Sequence, residues 1–129
     1  MSTLRIDNFQ PSAGGTSFGI EGIAKAYANI DMTTPALRSS ENVSSITDNG
    51  VGLYDVNLTS AMSGAEYPVT GGAQAAPGGD FVFLALHTNS AAAAERAPTA
   101  SRFSLYTHGR TTGAHDVPRV TAATHGDLA

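Results

Sequence analysis

Four histidines, His87, His108, His115 and His125, are the side chains best suited by their ordinary acidity to move a proton or hold a metal near neutral pH. Their spacing does not build a metal site. No H-x-H or H-x-x-x-H pair occurs, and without cysteine there is no thiolate ligand. Three copies of one histidine could still meet on the axis of a symmetric assembly, but no resident metal or cofactor is expected. Serine, histidine and aspartate are all present, yet no nucleophile elbow G-x-S-x-G is read from the chain. Asp80 and Asp116 stand at strand starts, where a turn cap accounts for them. Nothing points to the carboxylate pair of a glycosidase. The glycine-rich "TGGAQAAPGGD" lacks the lysine and the following helix of a phosphate loop. The expectation is a protein without enzymatic activity.

Recognition is better served than catalysis, and the residues for it fall in "YTHGRTTGAHD". Tyr106, His108, Arg110, Thr111, Thr112 and His115, with Asp116, combine a stackable ring with donors and acceptors. Sugars are bound by such sets, a ring under the apolar face and polar groups on the hydroxyls. Gly109 and Gly113 flank the middle of the loop and are expected to let it project. Alternation puts Tyr106 and His108 opposite Phe103 and Leu105, so both rings are expected in solvent. A solvated hairpin loop that binds nothing is the plainer reading of the same residues.

The elements that must carry this loop are strands. "IAKAYANI" alternates, with Ala24, Ala26, Ala28 and Ile30 on one side and Lys25, Tyr27 and Asn29 on the other. Alanine also favours helix, but Tyr27, Asn29 and the flanking glycine build no apolar helical stripe. "NVSSIT" and "LYDVNL" meet at Asp48-Asn49-Gly50, where a type I′ turn would put Asn49 and Gly50 at positive φ. Tyr54, Val56 and Leu58 face a core; Asp55, Asn57 and Thr59 face water. Pro68 confines the following stretch to a sheet edge, and "GGAQAAPGG" reads as a loop. Phe81 to Leu86 is apolar on both faces, which suits a central strand or one whose second face meets another subunit. Ala91 to Arg96 has room for a helical turn. "SRFSLYTH" and "VPRVTAATHGDL" supply further strands. Short strands at regular spacing specify an all-β fold, an antiparallel sandwich or barrel-like domain. Residues 1–22, rich in turn formers, are read as an extended arm, and 23–129 as the β domain.

Composition narrows the partners. The chain of 129 residues fits one domain, with charged residues at 14% and a net charge of −4. This is too acidic for nucleic acid and gives no polybasic membrane surface. The longest apolar run is far short of a bilayer span, and "MSTLRIDNFQ" has no apolar leader segment, so synthesis without targeting is expected. Aromatics are only 7% and glycines number fourteen, so burial per residue is thin. Subunit association is one remedy. Ala24, Ala26 and Ala28, together with Phe81, Phe83 and Leu84, are the candidates for a subunit interface.

"NVSSITDNGVGLYDVNLTSAM" closely resembles a segment of tail-fibre-like proteins of tailed bacteriophages, especially marine and cyanophage ones. That segment reads N-V-S-S-I-T-D-N-G-x-G-x-Y-x-V-N-F-x-x-x-M, with Leu58 here in place of its phenylalanine. "LRIDNFQPSAGGT" is similar to the family's opening, "GIAKAYANID" to its G-x-A-K-A-W-x-N-F strand with Tyr27 for tryptophan, and "VTAATHGDLA" to its close. The resemblance does not extend over Thr70 to Thr99. It implies a virion structural protein made in the host cytoplasm, usually homotrimeric and not enzymatic. Such a protein would be a tail fibre or fibre tip that contacts host glycans, joined to other tail or head proteins. A head fibre, capsid decoration or tail adaptor without receptor contact is the alternative, and a glycan-cleaving tailspike a second.

Overall fold

A computed structural model describes residues 8–9, 18–19, 23–74, 82–86, 97–110 and 113–129. In chain order the strands are β1 (Asn8–Phe9), β2 (Phe18–Gly19), β3 (Ala24–Asp31), β4 (Ala36–Glu41), β5 (Val43–Asp48) and β6 (Leu53–Leu58). They continue as β7 (Val69–Ala73), β8 (Val82–Leu86), β9 (Arg102–Gly109), β10 (Gly113–Ala114) and β11 (Val120–His125). Among the described residues there is no helix, and every pairing is antiparallel. One sheet runs β4-β3-β11-β7; the other runs β10-β9-β6-β5, with β8 on the opposite edge of β9. The all-β expectation holds.

The two sheets close on one core because their inward residues alternate with outward ones. Ala26, Ala28 and Ile30 of β3, with Val120 and Ala122 of β11, meet Tyr54, Val56 and Leu58 of β6 and Phe103 and Leu105 of β9. The alanines of the first sheet share this core with the large Tyr54, Phe103 and Leu105 of the second. This corrects one expectation. Ala26 and Ala28 are fully covered inside a single chain and offer nothing to a neighbouring subunit, while Ala24 at the strand start is exposed.

Other expectations also shift. The strand at 82–86 is not central: β9 holds that place, and β8 borders it on one edge. Leu84 packs on the core from there. Phe81 and the helical turn expected at 91–96 lie outside the described residues, as does most of the arm, where only β1 and β2 are described, paired with each other. Pro68 does precede an edge strand, but β7 extends through Gly71 and Gly72, which the sequence reads as loop. Gly71 is needed there: a Cβ would lie 2.2 Å from the Thr121 carbonyl oxygen.

The hairpin between β5 and β6 turns later than expected. Asn49 is not at positive φ; Gly50 (123°) and Gly52 (70°) are. The Asp48 carboxylate accepts the Gly50 N–H at 2.9 Å, an Asx turn that holds Asn49 in ordinary backbone. The chain then reverses over 50–53, where the Leu53 N–H donates to the Gly50 carbonyl at 2.9 Å and glycine takes the third position. A side chain at Gly52 would meet the Thr107 carbonyl oxygen at 2.5 Å, whereas one at Gly50 would meet nothing within 4 Å.

Two polar clasps fix the corners. Asn42, at φ 54°, turns the chain from the first sheet into the second. Its carboxamide accepts the Ser60 N–H at 2.7 Å and donates to the Ser60 carbonyl at 3.1 Å. Asparagine is one of the few side chains that tolerate this backbone. Asp31 closes the β3–β4 turn, accepting from the Thr33 hydroxyl (2.6 Å), the Thr33 N–H (3.0 Å) and Arg38. The Thr33 hydroxyl is the main cause that lowers the Asp31 carboxyl from 3.8 to about 2; burial opposes it, and Arg38 and the Thr33 amide assist.

Two measurements check these points. Both glycine positions carry backbone strain for other residues, roughly 1–3 kcal/mol each, and Gly52→Ala must in addition push β9 away. Thermal melts should therefore rank wild type above Gly50→Ala and Gly50→Ala above Gly52→Ala; equal midpoints for the two variants would refute the crowding. Because its folded acidity constant is depressed, Asp31 stabilises the fold fully above its unfolded value of 3.8, and this is lost as pH falls through about 2. Asp31→Asn should be less stable at neutral pH and show a shallower decline in unfolding midpoint between those two pH values.

Candidate functional site

The candidate recognition residues hang on β9, whose alternation separates them cleanly. Phe103, Leu105 and Thr107 point into the core and are buried, while Tyr106 is half-buried and His108 exposed on the outward face. The Tyr106 and His108 rings lie 5.6 Å apart, centre to centre, and are tilted by 47°. Leu53 and Ala85 flank Tyr106 on the neighbouring strands. Arg110 follows in the turn after β9 and is exposed. Thr111 and Thr112 lie outside the described residues.

Beneath these rings the backbone is tied by Thr107. Its hydroxyl donates to the His115 carbonyl, also lies 3.3 Å from the Gly52 carbonyl oxygen and reaches the Met32 sulfur at 3.4 Å. Its N–H donates to the Gly52 carbonyl at 2.8 Å, and its carbonyl accepts the His115 N–H at 3.2 Å. Asp116 accepts the Gly52 N–H at 2.7 Å. Met32 donates its N–H to the Val117 carbonyl, and its own carbonyl accepts the Tyr54 hydroxyl at 2.8 Å. Burial, followed by the negative charges of Asp116, Asp48 and Asp31, pushes the Tyr54 hydroxyl well above its ordinary value, so it stays a donor.

The structure thus brings Tyr106 and His108 together, sets Arg110 beyond them, and anchors His115 through its backbone. It changes the role of the two glycines. Gly109 is buried and pairs with Gly113 across the loop, so the flanks are held in a ladder rather than released to project. The outward face also holds a polar set that sequence reading assigned to water. Asp55 is only 4% exposed, accepts the Ser104 hydroxyl at 2.6 Å and pairs with Arg102 at 3.3 Å. The facing pairs in the register of β6 and β9 carry this set, which alternation along a single strand does not reveal.

Sequence reading also passed over Gly15-Thr16-Ser17-Phe18-Gly19, which has the spacing of a nucleophile elbow. An elbow needs its serine on a strand-to-helix turn, whereas Phe18 and Gly19 here form β2, paired with β1. Ser17 itself lies outside the described residues. No group of three or more metal-ligating side chains converges among the described residues.

Comparison with known proteins adds no relative: no family model matches the chain, and neither a curated protein nor a solved structure matches it significantly.

Replacing Thr107 by valine keeps the shape and removes the hydroxyl. The buried carbonyls it serves should then cost about 1–3 kcal/mol by chemical denaturation, and the amides of Gly52 and His115 should exchange faster with solvent. Unchanged stability and exchange would show that the hydroxyl does not hold the loop.

Proposed function

We propose that the chain is a virion structural protein, a tail fibre or fibre tip that takes part in attachment to the host surface. The observation that supports this most is the Tyr106–His108 pair on an outward face, with exposed Arg110 beyond it. The pair stands on a backbone held by the Thr107 bonds, so the rings are presented without a large ordering cost on binding. A ring pair with a cation beside it suits a surface glycan at modest affinity. The likeness of residues 42–62 to phage fibre proteins gives the setting: a particle made in the host cytoplasm, a homotrimer, and neighbouring tail or head proteins. Three copies would raise avidity where the receptors can be spanned. With Ala26 and Ala28 occupied inside the chain, subunit contact falls to the β8 side, where Leu84 is half-buried. The reading assigns no catalytic step to any residue.

Tyr106→Ala combined with Arg110→Ala should lower binding of the purified protein to host cells several-fold, with the oligomer unchanged by light scattering. Binding equal to wild type would move the role to an adaptor that joins virion parts without touching the receptor.

A further inference from the structure

We infer that the outer face of the β4-β3-β11-β7 sheet carries a saccharide-binding groove walled by Tyr27. This groove lies on the opposite sheet from Tyr106 and His108 and does not depend on the attachment reading. It measures about 440 Å³ and is lined by Tyr27, Asn29, Ser39, Thr70, Thr121 and Ala123 together with bare strand backbone. That size falls within the range of small-ligand sites.

The register builds it. Tyr27 pairs with Ala123, and Ala123 with Thr70; Asn29 pairs with Ser39 and Thr121, and Thr121 with Gly72. A tyrosine ring, 43% exposed for the residue as a whole, therefore stands beside a floor of hydroxyls and small side chains. Across the ladder Tyr27 has Ala123 on one side, with Thr70 beyond it, and the exposed Glu41 on the other, so the ring is open toward the β11 side. The Asn29 amide lines the floor, and its carbonyl oxygen is buried with no hydrogen-bond partner.

Two consecutive glycines keep the space open. Glycine inside a strand marks a place where a backbone or a ligand comes close. Gly71 does the first, since its missing Cβ lets β7 lie against β11. Gly72 does the second, on the side away from Tyr27: a Cβ there would meet no described atom within 4 Å, and the residue borders a second hollow. A second hollow of about 510 Å³ adjoins through Thr121 and brings in Gln74 and exposed Arg119.

The chemistry selects the ligand class. Among the described residues no charged side chain lines the first hollow, so the lining offers an ion no counter-charge. A ring with an apolar face and many hydroxyls fits: its face stacks on Tyr27 and its hydroxyls meet Ser39, Thr70, Thr121 and the Asn29 amide. The adjoining hollow takes the next unit, with Gln74 and Arg119 donating to its oxygens. The assigned ligand is an oligosaccharide with an uncharged pyranose over Tyr27.

The purified full chain is screened on an array of neutral hexose and hexosamine oligosaccharides, and the best binder is titrated by calorimetry. Tyr27→Ala should lower affinity roughly tenfold, Tyr27→Trp should retain it, and Gly72→Leu, which fills the adjoining hollow, should weaken binding of the longer oligosaccharides without changing the melting midpoint. The Tyr106→Ala, Arg110→Ala double variant should bind this oligosaccharide as wild type does. The proposal is overturned if no oligosaccharide binds, if Tyr27→Ala and Gly72→Leu bind like wild type, or if the double variant loses binding to the same extent.

Discussion

Thr107 and the glycine it faces, Gly52, form the contact on which one end of the sandwich depends, because three separate parts of the chain need the same few polar atoms there. The hairpin tip supplies Gly52, the last loop supplies His115 and Asp116, and the first sheet supplies Met32. None of these segments has a ladder partner at that point, and buried backbone groups must be bonded somewhere. A threonine in the centre of β9 provides a donor directed inward, where its strand neighbours Phe103 and Leu105 provide only hydrocarbon. The junction needs glycine at position 52 for space and threonine at 107 for chemistry.

This arrangement bears on presentation. The side chains on the outward face of β9 inherit whatever rigidity the inward face has, since a strand cannot move one face without the other. Tyr106 and His108 are placed by Leu105 and Thr107 as much as by their own packing. On the same face, the Asp55–Ser104–Arg102 set adds a bonded polar layer between β6 and β9. Buried polar sets of this kind stabilise only when every member is satisfied, and they penalise alternative registers.

Much of the fold was legible in the chain because strand alternation is local. Tyr54, Val56 and Leu58 announce their face without help from any partner, as do Phe103 and Leu105. What could not be read depends on neighbours distant in sequence. Asn-Gly at 49–50 advertises a tight turn, but the Asp48 side chain and the crowding under Gly52 place the reversal at 50–53. Asp55 looks solvated until Ser104 and Arg102 are set opposite it. Ala26 and Ala28 look like a surface for another subunit until both are found buried in the core that also holds Tyr54 and Phe103. Of the candidate site, the pairing of Tyr106 with His108 followed from spacing two on a strand, while the tethering of Gly109 and His115 rested on pairings across the sheet.

Adjacent positions 71 and 72 carry opposite evolutionary freedom. At 71 any side chain would strike the Thr121 carbonyl oxygen, so drift there is closed as long as β7 lies on β11. At 72 a side chain can start without a clash, because no described atom lies within 4 Å of a Cβ there. A lineage under changing selection can thus resculpt the outer surface of this sheet at one codon while the next codon holds the scaffold fixed.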